Sequence, residues 1–364
     1  MKLKVQVKRL KEAVDRAYVA VSKNNQNQQL KGIYFEAKES GLTVRATNIS
    51  VGYQKVLSAE VEAEGAVLIL GDVISRVLGS VTFSENAYCE MVLEGNVCKL
   101  EVGKHAFSLK TLPHENFPTL PTVEGVQFEI DAHLFVQGLK HAVYAVAKTD
   151  IKPEISGVYT YVEDGSVVFV GTDSYRLAEK KFNNKQLPNC SFILPEKNTK
   201  DFIRLYDGVI ALGKLSLSKN SLSFELEDEI FVTRLIQGIF PNYRQIIPSS
   251  PETQVVFLKS DIQKVLKIVS FFSDKTEQVI LSASENKISL NAENVDIGSA
   301  SEEIQATLKG EPFSIKINSR YFEEFLNTTN DTSIILKFTA QNKPIIIQGI
   351  EDAFYTYLVM PSYK

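Results

Sequence analysis

Residues 167–178, VVFVGTDSYRLA, decide the reading, because the chain spells their pattern three times. An apolar run ends in a small residue, a polar pair marks a turn, and a second strand follows. Residues 42–52 (LTVRATNISVG) are the first copy and 288–298 (ISLNAENVDIG) the third. The turn pairs Thr47-Asn48, Thr172-Asp173 and Glu293-Asn294 stand 125 and then 121 residues apart. Asn and Asp bond their own backbone and tolerate unusual φ, which suits a hairpin turn. Recurrence at that period in 364 residues means three similar units.

The flanking sequence repeats in step. Each unit opens with a short strand leading into an amphipathic helix. The first helix is expected over 8–23, with Leu10, Val14, Ala17 and Val21 inward. The second runs from the cap candidate Asp131 to about 148, with Leu134, Leu139, Val143 and Val146 inward. The third runs from the cap candidate Ser260 to about 272, with Ile262, Val265, Leu266 and Val269 inward. After each hairpin come a strand and a second helix, over 72–79, 196–206 and 319–328. Strand-rich blocks close the units at 88–112, 209–236 and 333–360, with turn signals at Gly95-Asn96, Lys219-Asn220 and Gln341-Asn342. Strand, helix, strands, helix, strands, three times over, is an α+β chain of mostly antiparallel sheet. Proline clusters at 113–121 (PHENFPTLP) and 241–251 (PNYRQIIPSSP) read as extended linkers, placing the units at 1–121, 122–250 and 251–364.

Composition narrows the class. Hydrophobic residues make up 44% and charged residues 23%, as in an ordinary globular chain. No apolar run approaches the roughly 20 residues of a membrane helix, so no membrane association is expected. The start, MKLKVQVKRLKEAV, is too charged for a signal peptide, and the expected location is the cytoplasm. Three cysteines argue against a disulfide framework; Cys89 and Cys98 share a face with Met91, Leu93 and Leu100 and read as small buried residues. The histidines (His105, His114, His133, His141) have no second ligand at metal spacing, so neither metal nor cofactor is expected.

Net charge is −4, the wrong sign for a nucleic-acid binder taken alone. Its distribution matters more. Across the six helix windows Lys and Arg exceed Asp and Glu by five, leaving −9 on sheets and loops. A helix-lined basic surface inside an acidic outer one accounts for that segregation.

The threefold repeat, TDSYRLA, FPNYRQIIP and the ending YLVMPSYK together resemble the bacterial sliding clamps, the beta subunits of replicative DNA polymerase III. The resemblance covers the whole chain. It implies a head-to-tail homodimeric ring around double-stranded DNA, helices inside and sheet outside, held without base readout. Its implied partners are the DNA polymerase III catalytic subunit, the clamp loader and other proteins bearing a clamp-binding motif. It implies no catalytic residue: the chain is a processivity subunit.

Carried over residue by residue, the resemblance puts a partner-peptide cleft at Thr172, Ser174, Tyr175, Arg176, Leu177, Pro241, Gln245, Ile246, Pro344, Ile345, Leu358, Val359, Met360 and Pro361. Such apolar side chains suit an extended peptide with hydrophobic anchors. The residues expected to face DNA come from Lys8, Arg9, Lys11, Arg16, Lys23, Lys148, Lys152, Lys197, Lys200, Arg204, Lys264 and Lys267. The ring contact is expected from Ile74, Leu78, Phe107 and Leu109 on one side and Phe271 and Phe272 on the other. The chain departs from the family at Gln245, at the polar run 24–29 and at the tail Ser362-Tyr363-Lys364.

Two other readings compete with this one. An enzyme would need a phosphate loop, nucleophile elbow or HExxH, and none occurs; the acidic run Glu227-Asp228-Glu229 reads as a solvated turn without a cationic partner. A scaffold that binds peptides without encircling DNA would share the cleft but would not stay on a DNA circle.

Overall fold

A computed structural model describes residues 1–23, 26–149, 151–184 and 187–362. Two family departures fall partly outside them: Asn24 and Asn25 in the polar run, and Tyr363 and Lys364 in the tail. The described residues hold six α-helices: α1 (Val7–Ala17), α2 (Gly71–Ser80), α3 (Ala132–Val143), α4 (Glu196–Tyr206), α5 (Lys259–Ser270) and α6 (Ser319–Thr328). Strands separate them in the expected order, three times, and every strand pairing is antiparallel.

The expected inward residues of α1 and α5 are all buried. Along α3, Leu134 is only half-buried, and Phe135 and Val136 are the residues that turn inward. The first helices also stop early. Val21 and Val146 keep the helical period and are buried, but they lie beyond α1 and α3. Past α3 the chain stays in the core by other bonds: the Ala147 N–H donates to the carbonyls of Ile155 (3.0 Å) and Thr172 (3.1 Å). Apolar spacing reports burial, and burial outlasts the helix here. Ser260 sits inside α5 and donates to Asp261, so it is no cap; Leu258 holds that position without a side-chain bond.

Two compact units divide the chain: Met1–His133 with Lys200–Leu235, and Leu134–Thr199 with Ile236–Lys364. The first holds a 13-stranded sheet, the second a 12-stranded one. The middle sequence repeat is therefore shared between the two. In unit 1, Val51–Leu57 pairs with Glu229–Arg234, with Gly52 opposite Val232 and Lys55 opposite Glu229. In unit 2, Arg176–Asn183 pairs with Tyr355–Val359, with Leu177 opposite Leu358. The strand after each of the first two hairpins thus takes the closing strand of the next repeat as its neighbour.

Two edges lack such a neighbour among the described residues. Gly298–Lys309 pairs over 298–305 with Lys287–Asn294 and only over 306–309 with a strand on its other side. His105–Leu112 pairs along Val97–Val102, and its other side is taken only at Thr111 and Leu112.

The proline-rich linkers are docked on the sheets. Phe117 stacks on Tyr34 in unit 1, ring centres 5.3 Å apart and planes 3° from parallel. Phe240 stacks on Tyr159 in unit 2 at 4.6 Å and 11°. Proline keeps the chain extended, and one phenylalanine, within the first linker and just before the second, anchors each.

Glu229 overturns the reading of the acidic run. It is buried at 3% exposure and accepts hydrogen bonds from Arg16 (Nε, 3.0 Å) and the Tyr53 hydroxyl (2.6 Å), with Lys55 at 3.4 Å. Arg16 also donates to the Leu205 carbonyl (2.7 Å). Burial, with Glu229 alongside, pushes the Tyr53 phenol far above its ordinary pKa. The cysteines are all free, and burial pushes the Cys89 and Cys98 thiols up to about 12. No helix among the described residues is long and apolar enough to cross a membrane.

Candidate functional site

The site begins at a hairpin turn built the same way twice. In residues 172–176 the Thr172 hydroxyl donates to the Arg176 carbonyl (2.6 Å) and accepts from the Ser174 N–H (3.2 Å). Asp173 Oδ1 accepts from the N–H groups of Tyr175 (2.9 Å) and Arg176 (3.0 Å). In residues 47–51 Thr47 bonds Val51 and Ile49 in the same sense (2.9 and 3.0 Å), and Asn48 accepts from Ser50 and Val51 (3.0 and 2.8 Å). Side-chain bonds of this kind hold the central residue at positive φ: 80° at Ser174 and 76° at Ile49. The third turn keeps only the Asn part, Asn294 Oδ1 accepting from Asp296 (3.0 Å). Glu293 has no β-hydroxyl to repeat the rest, and the turn is one residue longer, pairing Glu293 with Ser299.

The turn places Tyr175 66% exposed, with its carbonyl accepting from the Met360 N–H (2.8 Å). That bond extends the pairing of Arg176–Asn183 with Tyr355–Val359 toward the C-terminus. The docked linker adds a short 3₁₀ turn, Tyr243–Ile246, fixed by the Tyr243 hydroxyl on Tyr161 (2.8 Å) and on the buried Glu179. Ile246 is left 48% exposed. Between these segments lies a cleft of about 330 Å³.

Ten of the fourteen expected residues line it: Thr172, Ser174, Tyr175, Arg176, Leu177, Gln245, Ile246, Pro344, Leu358 and Met360. Leu177 and Leu358 form the floor and belong to a core cluster with Val170 and Ile346. Four residues stand elsewhere. Pro241 borders a neighbouring aromatic hollow with Tyr159 and Phe240. Ile345 and Val359 are buried in the core of unit 2, and Pro361 is buried without reaching the cleft. Strand alternation explains the miss, since Ile345 and Val359 point to the opposite face from Leu358. Asn342 and Lys343 line the rim and were not foreseen, although they sit in the Gln341-Asn342 turn signal next to Pro344.

Arg176 builds a wall and does not recruit an anion. It is buried and paired with Asp173 (2.9 Å) and Glu324, donates to the Tyr144 carbonyl (2.7 Å), and lies 4.2 Å from the Tyr321 ring centre. Burial works against its charge, yet Tyr357, Glu324 and Asp173 outweigh burial and hold its pKa above the ordinary value. With the guanidinium so engaged, the cleft is an apolar trough with polar rims.

Among the expected DNA-facing residues Lys8, Arg9, Lys23, Lys148, Lys152, Lys197, Lys200, Arg204, Lys264 and Lys267 are exposed. Arg16 is the correction, its charge being held by Glu229; Lys11 is half-buried against Asp15 (2.6 Å). Among the expected ring contacts, Ile74, Leu78 and Leu109 are buried within unit 1 and Phe107 is half-buried. Phe271 is 72% exposed at the end of α5, whereas Phe272 packs against the core.

Models of the DNA polymerase III beta subunit match this chain three times in succession: the N-terminal domain over residues 1–121, the central domain over 129–242 and the C-terminal domain over 244–363. The chain belongs to the DNA polymerase III beta subunit family. It is similar to the beta sliding clamp of Synechococcus elongatus, 27% identical over 90% of this chain and 89% of that one. The beta sliding clamp of Streptomyces coelicolor is 26% identical over 99% of both. The crystal structure of the Thermotoga maritima beta subunit superposes with a TM-score of 0.94 at 25% identity, covering 100% of this chain and 99% of that one. The fold is that of three clamp domains, and the function is that of a DNA sliding clamp serving polymerase processivity.

Proposed function

We propose that two copies of the chain close head to tail around duplex DNA and that partner proteins dock extended peptides in the cleft of unit 2. The three clamp units then run over 1–121, 122–250 and 251–364, the ring works in the cytoplasm, and no residue is catalytic. Its partners are the polymerase III catalytic subunit, the clamp loader and other carriers of a clamp-binding peptide.

The two open edges support closure. Gly52, Leu177 and Ser299 are the residues paired with Thr47, Thr172 and Glu293 across their hairpins. Val232 and Leu358 are each fourth in the closing strand, and Ser108 is fourth in His105–Leu112. Gly52 faces Val232 and Leu177 faces Leu358, so Ser299 faces Ser108 of a second copy. This contact is heterologous, as a closed ring requires, and removes two exposed strand edges. Phe271 and Phe107 add apolar surface beside it.

The cleft carries the partner reading. A peptide with Leu and Phe anchors buries about 200–300 Å² of apolar side chain, which at about 25 cal/mol/Å² is roughly 5–7 kcal/mol before ordering costs. Before those costs that energy corresponds to a Kd of roughly 10–200 μM, weak binding suited to partners that exchange on one ring. The test is fluorescence anisotropy with a labelled pentapeptide carrying both anchors. Because Leu177 is also core, the variant is Ile246→Ala with Met360→Ala, expected to weaken binding at least about tenfold at unchanged melting temperature. Unchanged affinity would remove the cleft from the account.

A further inference from the structure

We propose that the chain carries a second copy of the peptide cleft, in unit 1, and keeps it shut with its own Leu120. The inference rests on the reading of the unit 2 cleft as a peptide site. It starts from bonds that repeat. The Arg234 N–H donates to the Ser50 carbonyl (2.9 Å) as the Met360 N–H donates to that of Tyr175 (2.8 Å). With the matching turns and the matching pairs Gly52–Val232 and Leu177–Leu358, this places Thr47, Ser50, Val232 and Arg234 where the open cleft has Thr172, Tyr175, Leu358 and Met360.

One position differs. Leu177 supplies an apolar floor in the open cleft, and its counterpart is Gly52. The vacancy is filled from the linker: a Cβ built on Gly52 would stand 2.3 Å from Leu120 Cδ2 and 3.4 Å from its Cγ. Leu120 lies three residues after the anchored Phe117, and Ile246 lies six after the anchored Phe240, so each unit's linker brings one aliphatic side chain to its turn by its own path. In unit 2 the linker residue stands at the rim, half-exposed, and leaves a trough; in unit 1 it lies over the floor. Ile49, at the same turn position as Ser174, remains 52% exposed beside the filled groove.

A tethered side chain competes at an effective concentration near millimolar. A free peptide binds only the fraction of chains in which Leu120 has left the groove, so its apparent affinity there falls by that fraction and the unit 2 cleft fills first. The ligand class of the closed groove is that of the open one, an extended peptide with an apolar anchor.

The test uses the full chain and a pentapeptide with Leu and Phe anchors, its Leu replaced by a photoactivatable diazirine analogue. Wild type is expected to bind about one peptide per chain, with cross-links at the unit 2 cleft only. Leu120→Ala is expected to bind about two, with new cross-links at residues 49–52, and Leu120→Met to behave as wild type. One peptide per chain and no cross-link at 49–52 in folded Leu120→Ala would overturn the proposal. Should Leu120→Ala not fold, Gly52→Ala serves: its Cβ must push the Leu120 side chain off the floor, so peptide cross-links should appear at residues 49–51, and their absence in the folded variant overturns the proposal. Wild type that bound no peptide would sink the reading of the unit 2 cleft instead, leaving the residue 49–52 cross-link to judge the groove by itself.

Discussion

Glu229 shows what burial does to a charge that a sequence displays as one of three neighbouring acids. Glu227 and Asp228 are exposed at the turn, but Glu229 opens a strand whose alternation turns it inward. There it meets Arg16 from a helix more than two hundred residues earlier in the chain. No local pattern could foresee that pairing, because it depends on which strands of different repeats become neighbours. Glu229→Gln leaves Arg16 without its carboxylate. As Arg16 keeps some solvent, the expected loss is about 2–3 kcal/mol in denaturant unfolding, smaller than for a fully buried pair. The double variant Arg16→Met with Glu229→Met should lose clearly less than the sum of the single changes; additive losses would mean that the pair is not coupled. Leu177 was legible both as core and as cleft floor, and it is both.

At the scale of elements, helix starts and faces could be read from the sequence, as could the ends of α2, α4 and α6, whereas the ends of α1 and α3 could not. Val21 and Val146 continue the apolar period after the helical bonds stop, since the next segment is also packed inward. The linkers were legible as extended through their prolines, yet Phe117 and Phe240 anchor them to strand tyrosines that sequence distance conceals. The basic helices lead to a prediction about salt. Lys197, Lys200 and Arg204 on α4 are exposed on successive turns, so neutralising all three should reduce the slope of log K against log salt for duplex DNA by about two to three. Arg16→Gln should leave that slope unchanged, because Glu229 already holds its charge. An unaltered slope in the triple variant would turn α4 away from the DNA.

At the scale of the molecule, the repeat was visible from three turn pairs, but its assembly into sheets was not. The strand after each of the first two hairpins pairs with the closing strand of the next repeat, and among the described residues the third repeat has no partner of this kind. In the proposed ring that geometry sets a register across two copies. Ser108→Cys combined with Ser299→Cys should form an intermolecular disulfide under mild oxidation, giving a covalently closed dimer, whereas Ser108→Cys with Glu302→Cys should not. Equal cross-linking in both would show that the edges do not meet in this register. Phe271→Ala should weaken the dimer in sedimentation, while Phe272→Ala should act mainly on stability, because its ring packs inward.

Encirclement is the central claim, and retention on DNA tests it most directly. The clamp loader would place the protein on a nicked circular duplex, and gel filtration in high salt would follow the complex before and after one restriction cut. Encirclement predicts that the protein stays with the circle through the salt wash and leaves within minutes of linearisation, and that the Ser108–Ser299 cross-linked ring stays on the circle indefinitely. Loss from the intact circle at the same rate as from the linear molecule would contradict the account.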